Sequence, residues 1–568
     1  ILSKSDRCAI DTEWWGMDKK RLHRPHGTFA CATFCFDEHT VYVVTDVDDL
    51  EQSFKNIDAA VHIYTNAKFD ITQLRKYIHI PQRKRLWDVM LIEQIRFSGL
   101  YDNFSLADMT RRYLDIYLDK EVRSQFSQND APEPSVGQGE PLYALTDEML
   151  EYAAVDTVAT FLVYQKQRAE IDETDLEIWK EIELPFLWTI LSMSGVKIDS
   201  EKWLTLAQRN AECAEEIQNK YGEWQIDPKS VKEKSIFVGI NLNSPVQVKA
   251  HFLSLGHKLK STDVEALEKL KDECEFAQDM MKYRTYAKRA STYGEKFILD
   301  YVENDGRIYG DIFQMGAATG RTSSRSPNLQ NQPHDKEYRD CFIAGEGNVL
   351  IVADWGSQEP RIAAYLSQDE RLIGILNSDK KLYIEIARDV LNITITKASP
   401  EYTHIKSTVL GLFYGMSAQG LAKQIGVSEE VAAGMIRKIL NTYPGIKEYI
   451  KLQHQAKDYV QSIYGRKVWL NKYSNGWERG ALNYPIQGSA ADAMKIAAYR
   501  FMERTEGESG WDLKLLVHDE VVISVPECDV DAAKNVLGEC MISVAEEMHD
   551  GIKGSVEIFS GDSWGVKG

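Results

Sequence analysis

Short, unbroken apolar runs along the chain predict buried β-strands. Runs without polar interruption suit strands that are covered on both faces, and runs this short do not suit a buried helix. They occupy residues 8–10 and 349–353, and two largely apolar runs, interrupted only by Lys514 and Ser524, occupy residues 513–517 and 521–525. The last two are separated only by His518, Asp519 and Glu520, which predicts a β-hairpin with acidic residues at its turn.

Helical periodicity predicts most of the remaining elements. Residues 146–168 carry a helical pattern that begins at a capping Thr146. Residues 200–300 are typical of long helices with charged outer faces. From residue 345 onward, short apolar strands alternate with helices, and this alternation favours an α+β fold for the C-terminal part.

A polar stretch interrupts the N-terminal part of the chain. Residues 127–141 are rich in Gln, Pro, Gly and Ser and lack apolar periodicity, so we expect a loop there. A chain of 568 residues is too long for one hydrophobic core. We expect a first domain over residues 1–175 and a second over residues 176–568.

Composition narrows the class of protein. Hydrophobic residues make up 43% and charged residues 27% of the chain, a balance that excludes a disordered chain and a membrane-spanning one. The eight cysteines form no Cys-x-x-Cys pair, so we expect reduced thiols and a cytoplasmic location, in the host if the protein is phage-encoded, with an organelle as the alternative. The net charge of −19 argues against nucleic-acid binding unless Lys and Arg are concentrated in a cleft.

Acidic residues at strand ends are candidate metal ligands. Asp354 ends the run at 349–353, and Asp519 lies between the other two C-terminal runs. An Asp at a strand end is more often a turn residue. Phosphoryl transfer by two Mg²⁺ ions, however, requires carboxylates from separate elements to converge, and Asp354 and Asp519 suit that role if the fold brings them together.

A helical segment between these acids carries a mixed face. Lys406, Leu410 and Tyr414 recur every four residues, so they share one side of a helix. An amphipathic helix with Leu410 and Tyr414 in the core is one interpretation. The lysine favours a functional face instead, because Lys is seldom buried without an anionic partner.

The N-terminal third has its own acidic set. Asp11 and Glu13 follow a short apolar run and point to one face of a strand. Asp70 ends the segment NAKFD, and Tyr152 and Asp156 are four residues apart on the helix predicted at 146–168. Any one of these patterns is weak by itself.

Taken together, the C-terminal segments resemble the motifs of family A DNA polymerases, the group that includes bacterial DNA polymerase I and many bacteriophage replicases. The matching segments are SGVKID (194–199), YR to STY (283–293), TGRTSS (319–324), PNLQN (327–331), DWGSQEPR (354–361), KSTVLGLFYGMS (406–417), ERGALNYPIQG (478–488) and VHDE (517–520). So many collinear matches are highly specific. We expect a phage-like member.

The resemblance implies a role for each matched residue. Asp354 and Asp519 would bind two Mg²⁺ ions, with Mn²⁺ as an alternative, and Glu520 would support the primer end. Glu359 would exclude ribonucleotides, Lys406 would bind the incoming dNTP, and Tyr414 would stack near the nascent base pair. The positions that match contacts to primer-template DNA are Arg321, Arg339, Arg479, Asn483, Gln487 and His518.

The N-terminal set resembles the tyrosine-bearing branch of the DEDD exonucleases, which degrade DNA from the 3′ end. By that resemblance Asp11 would bridge two metal ions, with Glu13 and Asp156 completing one site. Asp70 would support the other ion through water, and Tyr152 would orient the attacking water. Thr65 stands where relatives often have His.

Three positions depart from the family A pattern. The usual Arg four residues before the motif lysine is Tyr402, and Tyr cannot give the bidentate grip on phosphate that Arg gives. We hypothesise that His404 or a residue outside this motif substitutes for it. Leu410 replaces an aromatic residue, which predicts altered discrimination against dideoxynucleotides, and Tyr383 replaces a His.

The implied architecture is an α+β protein with an RNase-H-like exonuclease domain before a right-hand polymerase domain. We expect the thumb near 185–300, the palm near 301–370 and 485–568, and the fingers near 371–484. We expect a monomer that binds primer-template DNA, dNTPs and replisome proteins such as helicase and single-strand binding protein, with no membrane. We also expect no 5′-nuclease domain before Asp11.

Three alternatives stay open. A single-subunit RNA polymerase would share the right-hand shape, although Glu359 and the exonuclease acids speak against it. A DNA-binding scaffold with inactive sites is disfavoured because every acid is retained. An RNA-trimming exonuclease would explain only the first 175 residues.

Overall fold

The computed structural model describes residues 6–567 except 19, 83, 119–121, 123–125, 127–144 and 227–234. The loop predicted at 127–141 therefore lies outside the described residues. Within the described part, the strands are β1 (Arg7–Trp15), β2 (Thr28–Cys35), β3 (Val41–Val44), β4 (Val61–Tyr64), β5 (Leu86–Asp88), β6 (Val196–Ile198), β7 (Gly222–Ile226), β8 (Ser235–Gly239), β9 (Arg307–Ile308), β10 (Asp311–Phe313), β11 (Ser323–Arg325), β12 (Phe342–Ile343), β13 (Asn348–Trp355), β14 (Tyr459–Gln461), β15 (Lys467–Trp469), β16 (Asp512–Val517), β17 (Glu520–Pro526) and β18 (Val556–Gly561).

The helices of the described residues alternate with these strands. They are α1 (Leu50–Asn56), α2 (Ala67–Leu74), α3 (Val89–Phe97), α4 (Leu106–Leu114), α5 (Asp147–Glu170), α6 (Glu173–Ile178), α7 (Leu184–Ser192), α8 (Ser200–Tyr221), α9 (Pro245–Ser254), α10 (Val264–Glu268), α11 (Glu275–Thr292), α12 (Glu295–Tyr301), α13 (Lys336–Arg339), α14 (Gln358–Ser367), α15 (Glu370–Leu376), α16 (Leu382–Leu391), α17 (Pro400–Phe413), α18 (Ala418–Ile425), α19 (Glu429–Thr442), α20 (Pro444–His454), α21 (Trp477–Arg504) and α22 (Val530–Met548). A π-helical turn, Trp179–Glu183, joins α6 to α7.

The chain divides into two compact units. The first contains residues 1–195, 310–331 and 346–561, and the second contains residues 196–309, 332–345 and 562–568. The first unit thus combines the N-terminal third with the strands and helices of the C-terminal half. The boundary expected at residue 175 and the thumb, palm and finger ranges stay predictions.

A five-stranded sheet forms the N-terminal part of the first unit. Its order is β3-β2-β1-β4-β5, with β1 antiparallel to β2 and parallel to β4. Helix α5 packs on β1 and β2. It begins where the sequence predicts, because the Thr146 side chain accepts a hydrogen bond from the backbone N–H of Met149.

A four-stranded antiparallel sheet forms the centre of the C-terminal half. Its order is β16-β17-β13-β18. The strands β13 and β17 are buried along most of their length, since α14, α21 and α22 contribute to the same hydrophobic core. This sheet confirms the strands predicted at 349–353, 513–517 and 521–525.

A fully buried ion network braces the first unit. The Arg466 guanidinium donates to the Asp492 carboxylate (Nε to Oδ1, 2.8 Å) and to Glu183 (Nη2 to Oε1, 2.5 Å). The Lys495 ammonium also donates to Glu183 Oε1, at 2.5 Å. All four side chains have no exposed surface, so their charges are compensated only by each other and by neighbouring polar groups such as Ser462, which donates to Asp492.

The second unit is built on the long helices α8 and α11. Their contact buries Phe276, Ala277 and Met280. A small sheet of order β12-β6-β9 lies in the same unit. The long helices predicted for residues 200–300 are confirmed, although the pair β7 and β8 also lies within that range.

No helix in the described part of the chain is long and apolar enough to cross a bilayer. The eight cysteines are free thiols, as expected from their spacing.

Candidate active sites

Two acids of the C-terminal half converge at one end of the central sheet. Asp354 lies near the end of β13 and pairs directly with Glu520, the first residue of β17. Directly opposed residues of antiparallel strands have Cβ atoms about 4.5–5.5 Å apart. Asp519 immediately precedes Glu520, and its carbonyl oxygen accepts a hydrogen bond of 3.4 Å from the Trp355 N–H. The strand register therefore brings the backbone of Asp519 beside the end of β13 that carries Asp354, and metal binding by the two acids stays a prediction.

A tight turn presents Asp519. Val517 pairs with Glu520, so His518 and Asp519 form a two-residue hairpin loop. His518 has a φ of +58°, which suits the first position of such a loop. The turn exposes His518, half-buries Asp519 and buries Glu520.

A cavity of about 270 Å³ opens beside this turn. Its lining combines candidate residues with others that sequence reasoning did not assign. The lining residues are Arg321, Thr322, Gln330, Gln358, Glu359, Ala490, Ala491, Met494, His518 and Asp519. The amide of Gln330 bridges Thr322 Oγ1, at 2.8 Å, and the carbonyl oxygen of Leu516, at 3.2 Å. The nearby Arg321 motif was the signal that could have identified Thr322 and Gln330.

Glu359 links two other candidates within this region. Its carboxylate accepts a hydrogen bond from Arg321 (Nη2 to Oε1, 2.5 Å), and it also accepts one from the Tyr414 hydroxyl. Burial and the Glu359 charge raise the pKa of Tyr414, so the tyrosine stays protonated and acts as the donor. The residues predicted to select the sugar, contact DNA and stack on the base pair form one hydrogen-bonded group.

Helix α17 presents the mixed face that the sequence predicts. Lys406 is exposed and Leu410 is half-buried, while Ile405 and Val409 are buried on the other side. Tyr414 follows the last residue of the helix and is half-buried. The interpretation of Leu410 and Tyr414 as core residues is therefore not supported.

Tyr402 stands one helical turn before Lys406, at the position of the missing arginine. His404 lies two positions from Lys406, and residues two apart on a helix do not face each other. The roles predicted for His404 and for a substitute of the arginine stay predictions. Tyr402 instead packs edge-on against Tyr383, with ring centroids 5.6 Å apart.

Helix α21 carries three of the predicted DNA contacts. Arg479, Asn483 and Gln487 recur every four residues, so they share one helix face. Arg479 is exposed and the other two are half-buried. The next residue on the same face is Ala491, which lines the cavity, so the stripe leads to the candidate site.

Arg339 belongs to the second unit. Its guanidinium carbon lies 4.4 Å from the ring centroid of Trp564, and its Nη2 lies 3.2 Å from His334 Nδ1. Its role in DNA binding stays a prediction.

Two exonuclease candidates, Asp11 and Glu13, share one face of β1. Asp11 pairs with Thr33 and Glu13 pairs with Cys31 on β2. Burial raises the pKa of the Cys31 thiol to about 12, and the charges of Glu13 and Asp11 add to the effect, so both carboxylates lie near this thiol. Thr33 hydrogen-bonds Thr157, the residue after Asp156, which places this part of α5 above Asp11.

Tyr152 lies one turn before Asp156 on α5 and is buried. It packs in a small cluster with Ala30 and Phe126, against which Trp15 also packs. Tyr152 and Asp156 therefore approach the sheet on the side that carries Asp11 and Glu13.

Asp70 has a different environment. It is 2% exposed on α2, and its Oδ1 accepts a hydrogen bond of 2.5 Å from Thr12 Oγ1. Thr12 points to the opposite side of β1 from Asp11 and Glu13, because successive strand residues alternate. Burial raises the pKa of Asp70 to about 7, with the Asp88 charge adding to the rise and the Thr12 hydrogen bond opposing it.

Asp88 fixes the start of α2. Its carboxylate accepts hydrogen bonds from the backbone N–H groups of Asn66 (3.2 Å) and Ala67 (2.7 Å), and it also caps α3. Asn66 has a φ of +68°, a conformation that Asn tolerates better than most residues. The sequence did not indicate this support.

An ionic contact joins helix α2 to the C-terminal half. The Lys68 ammonium, two residues before Asp70, donates to Asp311 Oδ1 at 2.5 Å and to the Ile312 carbonyl oxygen at 2.6 Å. Arg325 donates to the other oxygen of Asp311 at 3.0 Å. Lys68 and Asp311 are largely buried, so the pair is shielded from solvent.

The donor set fits divalent cations by chemistry. Mg²⁺ takes oxygen ligands and is usually bound by one or two carboxylates together with waters and substrate phosphates. Asp354 and Asp519 match that pattern. In the described part of the chain, no three His, Cys, Asp or Glu side chains form a preassembled cation site, and Asp70 is bonded to Thr12.

Comparisons with known proteins agree with this arrangement. The model of DNA polymerase family A matches residues 205–566, and the model of a 3′-5′ exonuclease matches residues 1–172. The chain is 33% identical over 442 residues to DNA polymerase I of Borreliella burgdorferi, which covers 73% of this chain and 47% of that protein. It is 31% identical over 542 residues to DNA polymerase I of Chloroflexus aurantiacus, covering 87% of this chain and 56% of that protein.

A third relative matches almost end to end. DNA polymerase I of Aquifex aeolicus is 27% identical over 567 residues, covering 93% of this chain and 92% of that protein. Among solved structures, the POL domain of Pol1 from M. smegmatis in complex with DNA primer-template and dNTP superposes with a TM-score of 0.82. The match has 24% identity and covers 100% of this chain and 97% of that chain, and this similarity shows the fold.

The chain belongs to DNA polymerase family A and carries a 3′-5′ exonuclease domain before the polymerase domain. Enzymes of this family use divalent metal ions. The chain spans about half the length of the first two relatives. All three relatives are bacterial DNA polymerase I proteins, so the expectation of a phage-like member has no support among them.

Proposed function

We propose that the chain catalyses template-directed DNA synthesis from dNTPs and removes nucleotides from the 3′ end by a separate exonuclease site. The observation that carries the polymerase assignment is the register of β13 and β17, which sets Asp354 opposite Glu520 and beside Asp519. The cavity at that place also contains Glu359, Arg321 and His518.

At the polymerase site, Asp354 and Asp519 would hold two Mg²⁺ ions, with Mn²⁺ as an alternative. When bound, such ions activate the attacking hydroxyl and stabilise the leaving oxygen in phosphoryl transfer. Glu520, buried beside Asp354, supports the primer end. Lys406 is exposed on α17 and binds the triphosphate by charge, while Tyr414 stacks near the nascent base pair.

Glu359 selects the sugar of the incoming nucleotide. Its carboxylate is held from two sides, by Arg321 and by Tyr414, so its position is fixed before a nucleotide binds. A fixed carboxylate beside the 2′ carbon excludes a hydroxyl there by contact. This reading favours dNTPs over ribonucleotides.

At the exonuclease site, Asp11, Glu13 and Asp156 would hold the divalent ions, since they share one side of the sheet. Asp70, whose carboxylate accepts a hydrogen bond from Thr12, would not bind a metal ion directly. It would support the second ion through a water molecule. Tyr152 approaches from α5 and orients the attacking water.

Primer-template DNA is the proposed partner of both sites. The stripe of Arg479, Asn483 and Gln487 contacts the duplex together with Arg321 and His518, and a DNA contact of Arg339 is proposed separately, from its match to the family motif. We infer a monomer in the cytoplasm, working with replisome proteins such as helicase and single-strand binding protein. Residues 1–175 are the proposed exonuclease domain, and residues 176–568 are the proposed polymerase domain.

Extension of a labelled primer with either dNTPs or ribonucleotides tests the proposal against an RNA polymerase. Wild type should extend with dNTPs and Mg²⁺ and should fail with ribonucleotides. Glu359→Ala should relax that selection, because it removes the carboxylate from the sugar position. Extension by wild type with ribonucleotides alone would contradict the proposal.

A further inference from the structure

The connection between β1 and β2 is a basic segment in an acidic protein. Residues 16–27 contain Lys19, Lys20, Arg21 and Arg24 against one acid, Asp18, whereas the whole chain has a net charge of −19. The segment also contains His23 and His26. An acidic protein can bind nucleic acid only where Lys and Arg are locally concentrated, and this segment provides such a concentration.

The segment lies at the end of the sheet where β1, the central strand that carries Asp11 and Glu13, finishes. It starts directly after β1, and Glu13 lies two residues before the last residue of that strand. At about 3.3 Å per strand residue, Glu13 is roughly 10 Å from the first residue of the connection. Helix α2 begins after β4, which is parallel to β1, so α2 starts at the same end of the sheet.

One buried glutamine holds the segment in place. The Gln73 side chain, with no exposed surface, donates from Nε2 to the carbonyl oxygens of Leu22 (3.0 Å) and Arg24 (2.8 Å). Its Oε1 accepts from the His26 N–H at 3.2 Å. All the hydrogen-bonding atoms of this amide are thus used to fix the backbone that carries the cations.

Further contacts add to this support. The Lys76 ammonium donates to the Gly27 carbonyl oxygen at 2.9 Å, and the Asp18 N–H donates to His26 Nε2 at 2.8 Å. The held backbone leaves Lys20 exposed and the Arg21 side chain 40% exposed. Preformed loops bind with a smaller loss of conformational entropy than mobile ones.

An aromatic residue, Tyr77, directly follows Lys76. Tyr77 is 37% exposed and stacks on Trp14, with centroids 6.0 Å apart. The Lys76 ammonium is 5.2 Å from the Tyr77 ring centroid. Cations along a backbone track together with an aromatic ring for base stacking are the features that bind single-stranded nucleic acid.

We propose that Lys20, Arg21 and Arg24 bind the phosphates of single-stranded DNA a few nucleotides from the 3′ end that occupies the exonuclease site. The proposal rests on the exonuclease function proposed above and deepens it. The cations of the segment guide a frayed strand to the acidic exonuclease site, which otherwise repels the phosphates. Their contribution to binding depends on whether the strand is long enough to reach the segment.

The test compares two triple variants of the full chain. Lys20→Gln/Arg21→Gln/Arg24→Gln removes the cations of the segment. Lys55→Gln/Lys84→Gln/Lys166→Gln, all exposed residues of the same N-terminal part, makes the same change in charge elsewhere. Primer extension by both variants serves as a check that they are folded.

Degradation is measured on a dinucleotide, which is too short to reach the segment, and on a single-stranded 15-mer. The segment variant should lose about tenfold in kcat/KM on the 15-mer at low salt and keep its rate on the dinucleotide. The log–log dependence on salt should flatten by about two, because each phosphate contact contributes about 0.7 on single strands. The control variant should match wild type.

Equal rates of the two variants on the 15-mer would overturn the inference, as would an equal loss on both substrates. Wild type that degrades neither substrate would refute the exonuclease function itself. The affinity for the 15-mer in EDTA needs no turnover, so an unchanged affinity and salt slope of the segment variant would still reject the phosphate contacts in that case.

Discussion

Arg466→Met should destabilise the first unit strongly, because it breaks a fully buried ion network. Asp492 would lose both hydrogen bonds from Arg466, of 2.8 and 2.6 Å, and keep only that from Ser462. Glu183 would keep Lys495. Removing one partner of a buried pair costs about 3–5 kcal/mol, since the other charge stays buried without compensation. At about 2 °C per kcal/mol for large domains, Tm should fall by roughly 6–10 °C.

Arg500→Met is the matched control. Arg500 lies on α21, like Asp492, and makes a bidentate pair with Glu547 at 2.8 and 2.7 Å. That pair is partly exposed, with side-chain exposures of 31% and 55%. Such surface pairs contribute about 0–1 kcal/mol, so the control should lower Tm by roughly 2 °C or less.

Differential scanning fluorimetry of wild type and both variants at one pH measures these shifts. A double variant, Arg466→Met with Asp492→Asn, should recover part of the loss, because it leaves no isolated charge on Asp492. Equal shifts for the Arg466 and Arg500 variants would refute the reasoning.

Arg466 also packs against Gly320, where an added Cβ would lie 2.8 Å from the Arg466 Nε. Arg466→Met should therefore also slow primer extension, through the neighbouring Arg321.

Three further outcomes are expected. Leu410→Tyr should raise the use of dideoxynucleotides relative to dNTPs, since its hydroxyl adds a hydrogen-bonding group near the sugar; unchanged ratios in primer extension would refute this. Lys68→Met and Asp311→Asn should each slow exonuclease degradation with a coupling of about 0.5–3 kcal/mol in a double-mutant cycle, because the pair anchors α2; strict additivity would argue against it. Burial raises the pKa of Asp88 to about 6, above its unfolded value of about 3.9, so the folded protein loses stability as the pH rises from about 4 to 6. The Tm difference, Asp88→Asn minus wild type, should therefore increase from pH 4.5 to pH 7.5. A Tm difference that does not change with pH would contradict this sign.

Local patterns predicted the elements that bear the acids. The run before Asp354 is short and apolar, the runs around Asp519 are short and largely apolar, and strands of a buried sheet have that composition. Thr146 caps α5 where the sequence places it. These predictions succeeded because strand and cap signals depend on neighbouring residues.

Contacts between distant segments could not be predicted. The register that sets Asp354 opposite Glu520 joins residues far apart in the chain, and no local pattern specifies it. The same holds for the pair of Lys68 and Asp311, which are 243 positions apart. The two-unit division, in which residues 1–195 group with the central sheet, also depends on such contacts.

The orientation of Asp70 shows a second limit. Its place in the exonuclease set stays a prediction, and no local pattern indicated that its carboxylate is buried and accepts a hydrogen bond from Thr12.

The central claim is that the chain has two separate sites, and separation of the two activities tests it most directly. Wild type, Asp354→Asn and Asp70→Ala are compared on a labelled primer-template with dNTPs and Mg²⁺, and on the same substrate without dNTPs. Asp354→Asn should abolish extension and retain degradation, whereas Asp70→Ala should retain extension and lose degradation. Loss of both activities from either single substitution, with the protein still folded, would contradict the two-site account.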